Sequence, residues 1–192
     1  MIKKYLEFIN ENKVKHWLYH GSSHKFDIFD FDKLGGDGHP MSFLGVHFSE
    51  DEKIAENFIN PPDYILYEVE ISYNKFLIIK EGELVKNMIK YALDNKIIDQ
   101  SIFTDDILSL SYHMGFQKPT DRCITKSLIS LPYKDSKKMS LEYKKILISK
   151  GFDCIKYINE IESPEIERYD WIVFNPEQIK IIESWSSKPE LK

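Results

Sequence analysis

Strand signals occupy the front and back of this chain and helical periodicity its middle, an order that few folds accommodate. Tyr64 to Ile71 alternates aromatic and β-branched residues with Glu68 and Glu70, the pattern of a half-buried strand, and Phe76 to Ile79 supplies another. Near the end, Phe152 to Ile158, Tyr169 to Phe174 and Gln178 to Ile182 read as strands, with Asn175-Pro176-Glu177 turning between the last two. Between these groups Glu83 to Asn95 places Leu84, Val85, Met88, Ile89, Ala92 and Leu93 at helical spacing. A second helix is expected over about 104–114, and a third from Leu141 to Lys150 with Gly151 as its C-cap. The order predicts an α+β fold with a mostly antiparallel or split sheet. A length of 192 residues suits one domain over 1–192, carrying a helical and loop insertion at about 80–150.

The stretch from Trp17 to Phe58 carries the first chemistry. Val14 to Tyr19 reads as a strand that delivers His20 into the polar turn Gly21-Ser22-Ser23. Gly45-Val46-His47-Phe48-Ser49 is a second short apolar strand with a histidine at its centre, and Ser49-Glu50-Asp51-Glu52 opens a helix over about 50–59 that Asn60-Pro61-Pro62 stops. In the intervening loop Phe26, Ile28, Phe29 and Phe31 interleave with Asp27, Asp30 and Asp32. These aromatics either pin the loop to the core while the aspartates cap turns, or shape a ligand site, or both. Gly35-Gly36-Asp37-Gly38 permits close backbone approach but matches neither a dinucleotide fingerprint nor a P-loop. Two strand-borne histidines around a glycine-rich loop point to a small-molecule site.

Charge and composition narrow the partners. A formal charge of −5 with no long Lys/Arg block argues against a sequence-independent grip on nucleic acid, though a local basic patch stays open. Cys123 and Cys154 lack metal-ligand spacing and read as reduced thiols, and the glutamates between Glu160 and Glu167 follow no ligand pattern, so no metal is expected. No segment nears the roughly 18 consecutive apolar residues of a membrane span. The start, MIKKYLEFINENK, lacks a long apolar core and cleavage site, which argues against secretion and for a cytoplasmic protein. Within it, residues 3–11 form a short helix-like set, either a packing arm or a frayed end. Residues 117–137 read as a loop, substrate-facing or a variable insertion.

Three blocks then resemble one family. Tyr19-His20-Gly21-Ser22 is similar to the His-Gly-Thr/Ser strand of the ADP-ribosyltransferase superfamily. Gly45-Val46-His47-Phe48-Ser49 sits where that family has Gly-x-Tyr-Phe-Ser/Ala/Thr before a helix. Gly151-Phe152-Asp153-Cys154-Ile155, followed by Asp170-Trp171-Ile172-Val173-Phe174-Asn175-Pro176-Glu177-Gln178-Ile179-Lys180, resembles its Gly-Tyr-Asp-Gly-Ile run and closing strand. The likeness lies on the His-Tyr-Glu side shared by poly-ADP-ribose polymerase and diphtheria toxin, closest to the domains of phage and polyvalent proteins. It implies split antiparallel β-sheets with flanking helices, NAD+ as substrate, and mono-ADP-ribosylation of a macromolecule, protein rather than nucleic acid.

The resemblance also implies roles. His20 takes the histidine position and would bond a ribose hydroxyl, with Gly21 and Ser22 beside it. His47 falls on the tyrosine that stacks on nicotinamide, flanked by Phe48 and Ser49, and Asp170 falls on the glutamate that stabilises the oxocarbenium-like centre. Two of the three positions thus carry another residue type. An RNA 2′-phosphotransferase shares the NAD+ site and has histidine at the second position, but an apolar third. A catalytically degenerate NAD-binding or protein-interaction module is the remaining alternative.

Overall fold

The computed structural model describes residues 13–36, 39–59, 63–98, 132–159 and 168–186. The expected helices at 3–11 and 104–114, the loop 117–131 and the glutamate segment 160–167 lie outside them. The described strands are β1 (Val14–Ser22), β2 (Val46–Ser49), β3 (Ile65–Tyr73), β4 (Phe76–Lys80), β5 (Cys154–Ile158), β6 (Tyr169–Val173) and β7 (Ile179–Ser186). Helices α1 (Glu52–Glu56), α2 (Glu81–Asp94) and α3 (Tyr133–Ser149) flank them.

The strands form one sheet in the order β4-β5-β6-β2-β1-β3-β7, antiparallel except for β4 beside β5. Its two halves barely touch. β1 pairs with β3 along its whole length, from Val14↔Tyr73 to Ser22↔Ile65, whereas β1 and β2 pair only at Tyr19↔Ser49. The expected split of an α+β sheet is this seam.

Alternation in β3 buries Tyr67, Val69 and Ile71 and leaves Glu68 and Glu70 at the boundary, as its sequence foretold. Those residues meet Leu18, Phe48, Trp171 and Val173 in one core. On the other face α2 presents Leu84, Val85, Met88 and Ala92, spaced to share one side of a helix, to Ile155 and Ile172. Met139 and Leu147 of α3 complete that layer.

Helix α3 corrects the sequence reading, which began it at Leu141 and left 132–137 as loop. Its first two turns face the core with Ser136 and Ser140, both fully buried, so no apolar stripe marks them. The Ser140 hydroxyl lies 2.7 Å from the carbonyls of both Pro40 and Ser136 and satisfies itself there. The helix ends as expected at Gly151, whose φ is 83°.

Two motif glycines are needed for close packing. A Cβ on Gly21 would stand 2.1 Å from the Ala55 carbonyl oxygen, so β1 can seat α1 only without a side chain there. A Cβ on Gly45 would stand 2.0 Å from the Val173 carbonyl oxygen and wedge β2 off β6. Gly36, in open space, is the control. Gly21→Ala should cost about 2–3 kcal/mol in denaturant melts, while Gly36→Ala stays within about 0.5 kcal/mol of wild type. Equal midpoints for the two variants would refute the packing account.

Candidate functional site

Past Tyr19↔Ser49 the strands β1 and β2 diverge, and a cavity of about 580 Å³ opens beside the seam. That volume suits a small molecule. His20, His47 and Asp170 all line it, from β1, β2 and β6 respectively, together with Gly21, Phe48 and Ser49. Ser22, expected at the site, does not line it: its hydroxyl donates to the His24 carbonyl and accepts the His24 N–H, closing a local turn.

The His20 ring spans the seam. Its Nδ1 lies 2.8 Å from the His47 carbonyl oxygen, and a carbonyl only accepts, so Nδ1 carries the proton and Nε2 is an acceptor. The rings of Phe29, Phe48, Phe26 and Tyr67 surround the imidazole with centroids 5.1 to 6.4 Å away. Tyr67 also fastens the aromatic loop, accepting the Phe26 N–H at 2.6 Å and stacking on the Phe26 ring. The loop aromatics therefore pin the loop and, in doing so, enclose a site residue. Burial in this apolar shell drives the His20 pKa down to about 4, against an opposing pull from the His47 carbonyl.

His47 is fixed at both ring nitrogens. Nε2 lies 3.1 Å from the Met41 carbonyl oxygen and Nδ1 3.2 Å from the Tyr157 hydroxyl, so the neutral ring is protonated at Nε2 and accepts from Tyr157. Asp170, only 5% exposed, sits opposite Ser49 on β2 and Tyr157 on β5. Asn159 donates its amide to Asp170 Oδ2 at 2.6 Å, while Oδ1 has no hydrogen-bond partner. Burial raises the carboxyl pKa, Asn159 and Ser49 hold it back, and Glu50 and Asp51 push it further up. An orphaned acceptor at the wall of a cavity is a place for a ligand's hydroxyl or positive charge.

Several lining residues escaped the sequence reading. Tyr157 and Asn159 belong to the β5 edge of the cavity, Glu81 opens α2, and Lys33 and His39 come from the glycine-rich loop beside Gly35 and Gly36. His39 accepts the Met41 N–H at Nδ1, leaving Nε2 as the donor of its neutral form. Asn159 follows a strand and Glu81 begins a helix. At such junctions no periodicity flags a residue.

Fold and cavity together define an α+β domain with a ligand site at the split of its sheet. A family model described as ADP-Ribosyltransferase in polyvalent proteins matches residues 14–188, and the chain belongs to that family. Neither the curated proteins nor the solved structures contain a match to it. The activity of the family is ADP-ribosyl transfer, which in general uses NAD+ and a macromolecular acceptor. Among the described residues no helix is long and apolar enough to cross a membrane.

Two stability measurements probe the buried groups. The His20 pKa is lower folded (about 4) than unfolded (6.5), so on acidification the unfolded chain takes the proton first. Its contribution is therefore constant above pH 6.5 and is lost as pH falls from 6.5 towards 4. His20→Gln, a neutral donor of similar length, should flatten that part of the pH–Tm profile relative to wild type, and an unchanged slope would refute the shift. Asp170 has the opposite sign: its raised pKa makes ionisation at neutral pH destabilising. Asp170→Asn should accordingly melt a few degrees above wild type at pH 7, a gain of about 1 kcal/mol.

Proposed function

We propose that this domain is an NAD+-dependent mono-ADP-ribosyltransferase acting on a macromolecular target, of phage or mobile-element origin. The observation that carries the reading is the meeting of His20, His47 and Asp170, remote in sequence, in one cavity where Asp170 Oδ1 lacks a partner. Breaking the C1″–N bond of NAD+ develops positive charge on the ribose, and an oriented carboxylate stabilises it best where water is excluded. Asp170 Oδ1 fills that role, with Asn159 locking the other oxygen so that the short side chain cannot swing. His20, neutral across the physiological range, accepts a ribose hydroxyl at Nε2.

The His47 ring, fastened by Met41 and Tyr157, gives the nicotinamide a fixed planar neighbour. Lys33 and the Nε2–H of His39 stand on the loop side, where they suit the diphosphate. A carboxylate at the third position favours this reading over an RNA 2′-phosphotransferase, whose corresponding residue is apolar.

Calorimetry should show NAD+ binding to wild type, and labelled NAD+ should mark a macromolecule in a host lysate. Asp170→Asn should keep NAD+ binding within about tenfold yet lose about 100-fold or more in nicotinamide release. No binding together with no labelling would end the proposal. Equal activity of wild type and a His20→Ala/Asp170→Ala double variant would instead favour a non-catalytic module.

A further inference from the structure

The face of the sheet that carries Asp170 continues out of the cavity. Directly paired residues of antiparallel strands project to one side, and the pairs form a single row across the sheet. It runs through Tyr157, Asp170, Ser49, Tyr19, Glu68 and Glu183, on β5, β6, β2, β1, β3 and β7 in turn. The first four line the cavity, and Glu68 and Glu183 do not. Helices α2 and α3 cover the β5–β6 end of this face through Ile155 and Ile172, and α1 packs on Gly21 and Leu66. Beside the row Trp17 is 52% exposed, on the diagonal from Glu68.

The open end of the row concentrates negative charge. Glu68 and Glu183 stand directly opposite one another, and like charges so placed weaken a sheet. Glu52 of α1 approaches as well: after burial itself, Glu68 and then Glu52 raise the Tyr19 pKa. No lysine or arginine among the described residues pairs with Glu52, Glu68 or Glu183. One step along the strands the contrast is plain, since Glu70 has Lys15 at 2.9 Å and Lys180 opposite. A cation from outside the chain fits between these carboxylates and the exposed indole.

Building on the mono-ADP-ribosyltransferase reading above, we propose that this row is the track on which the acceptor protein docks, through a basic stretch of its chain. An arginine or lysine of that stretch lies over Glu68 and Glu183 with Trp17 at its side. The chain then runs past Tyr19 into the cavity, to Asp170 with its unmatched Oδ1. From β6 through β2 and β1 to β3 is about 14 Å at about 4.8 Å per strand, which an extended chain covers in about four residues. The modified residue therefore has a basic neighbour about four positions away. Acidic and phosphate-rich acceptors are repelled by the same carboxylates.

Fluorescence anisotropy with fluorescein-labelled nona-arginine tests the face. Glu68→Gln/Glu183→Gln should weaken its binding about tenfold and Trp17→Ala about threefold. Asp94→Asn/Glu142→Gln, the same change of net charge placed on α2 and α3, should stay within about twofold of wild type. The Glu68→Gln/Glu183→Gln variant should melt no lower than wild type, since a repulsion is removed. For the acceptor role, nona-arginine should suppress labelling of lysate proteins from NAD+, and mass spectrometry should find Lys or Arg about four residues from each modified site.

A wild type that does not bind nona-arginine overturns the proposal, as do equal affinities in the two double variants. Binding that leaves lysate labelling unchanged, or modified sites without a basic neighbour, overturns it as well. A dimer in sedimentation that Trp17→Ala dissociates gives the face to a second copy instead. Calorimetry without NAD+ binding refutes the NAD+ reading itself, whereas NAD+ binding with equal peptide affinities refutes only the track.

Discussion

One side-chain hydrogen bond ties the two halves of the sheet where the backbone ladder stops. β1 and β2 share the single pairing Tyr19↔Ser49, and the next residue, His20, sends its Nδ1–H to the His47 carbonyl at 2.8 Å. A buried carbonyl without that donor would cost on the order of 1–3 kcal/mol, and the strands would be freer to separate. The bond needs a proton on Nδ1, and the shell of Phe29, Phe48, Phe26 and Tyr67 keeps the ring neutral by excluding water, so that Nε2 stays an acceptor. Loop, seam and cavity thus form one unit: the aromatics that pin the loop also set the protonation of the residue that spans the split.

The other side of the cavity is built against stability. Asp170 is a carboxylate at 5% exposure, where an amide side chain would fold at lower free energy. Its Oδ2 receives the neutral Asn159 amide rather than a cation. Compare Glu50, whose Oε1 receives His16, Lys156 and Trp171 within 3.2 Å and whose carboxyl pKa is lowered despite burial. Glu50 is a satisfied structural carboxylate. Asp170, with Oδ1 unmatched, is the opposite case, and that difference separates a brace from a site.

How far the sequence revealed this depended on whether a feature was local. β3 was legible because alternation is a property of consecutive side chains, and the α2 stripe because its apolar residues recur at helical spacing. The first turns of α3 were not, since Ser136 and Ser140 are polar residues on its buried face, and the Ser140 hydroxyl meets the Pro40 carbonyl only in the assembled fold. The motif glycines could be seen, but their reason could not: Gly21 faces the Ala55 carbonyl and Gly45 the Val173 carbonyl, both brought in by tertiary packing. His20, His47 and Asp170 stood out by motif order. Ser22 stood out equally, yet its hydroxyl serves a turn. Asn159 depends on the antiparallel pairing of β5 with β6 and Glu81 on the parallel pairing of β4 with β5, registers that nothing in any one strand's own sequence encodes.

The pairing of β5 with β6 bears on the two positions where the resemblance to the His-Tyr-Glu pattern implies another residue type. Where that resemblance implies a phenol, this chain has His47, and a phenol reaches it from β5: Tyr157 Oη lies 3.2 Å from Nδ1, with ring centroids 5.9 Å apart in an edge arrangement. Where it implies glutamate, this chain has the shorter Asp170, and the residue after β5 supplies a group, the Asn159 amide at 2.6 Å. Residues 157 and 159 share a face by the two-residue period of a strand, so one edge of β5 addresses both substitutions at once. Shortening the acid removes a rotatable bond and clamping one of its oxygens removes more freedom, so the reach lost is exchanged for orientation. His47 and Asp170 are thus each held by a neighbour from the end of β5, Tyr157 for the ring and Asn159 for the carboxylate.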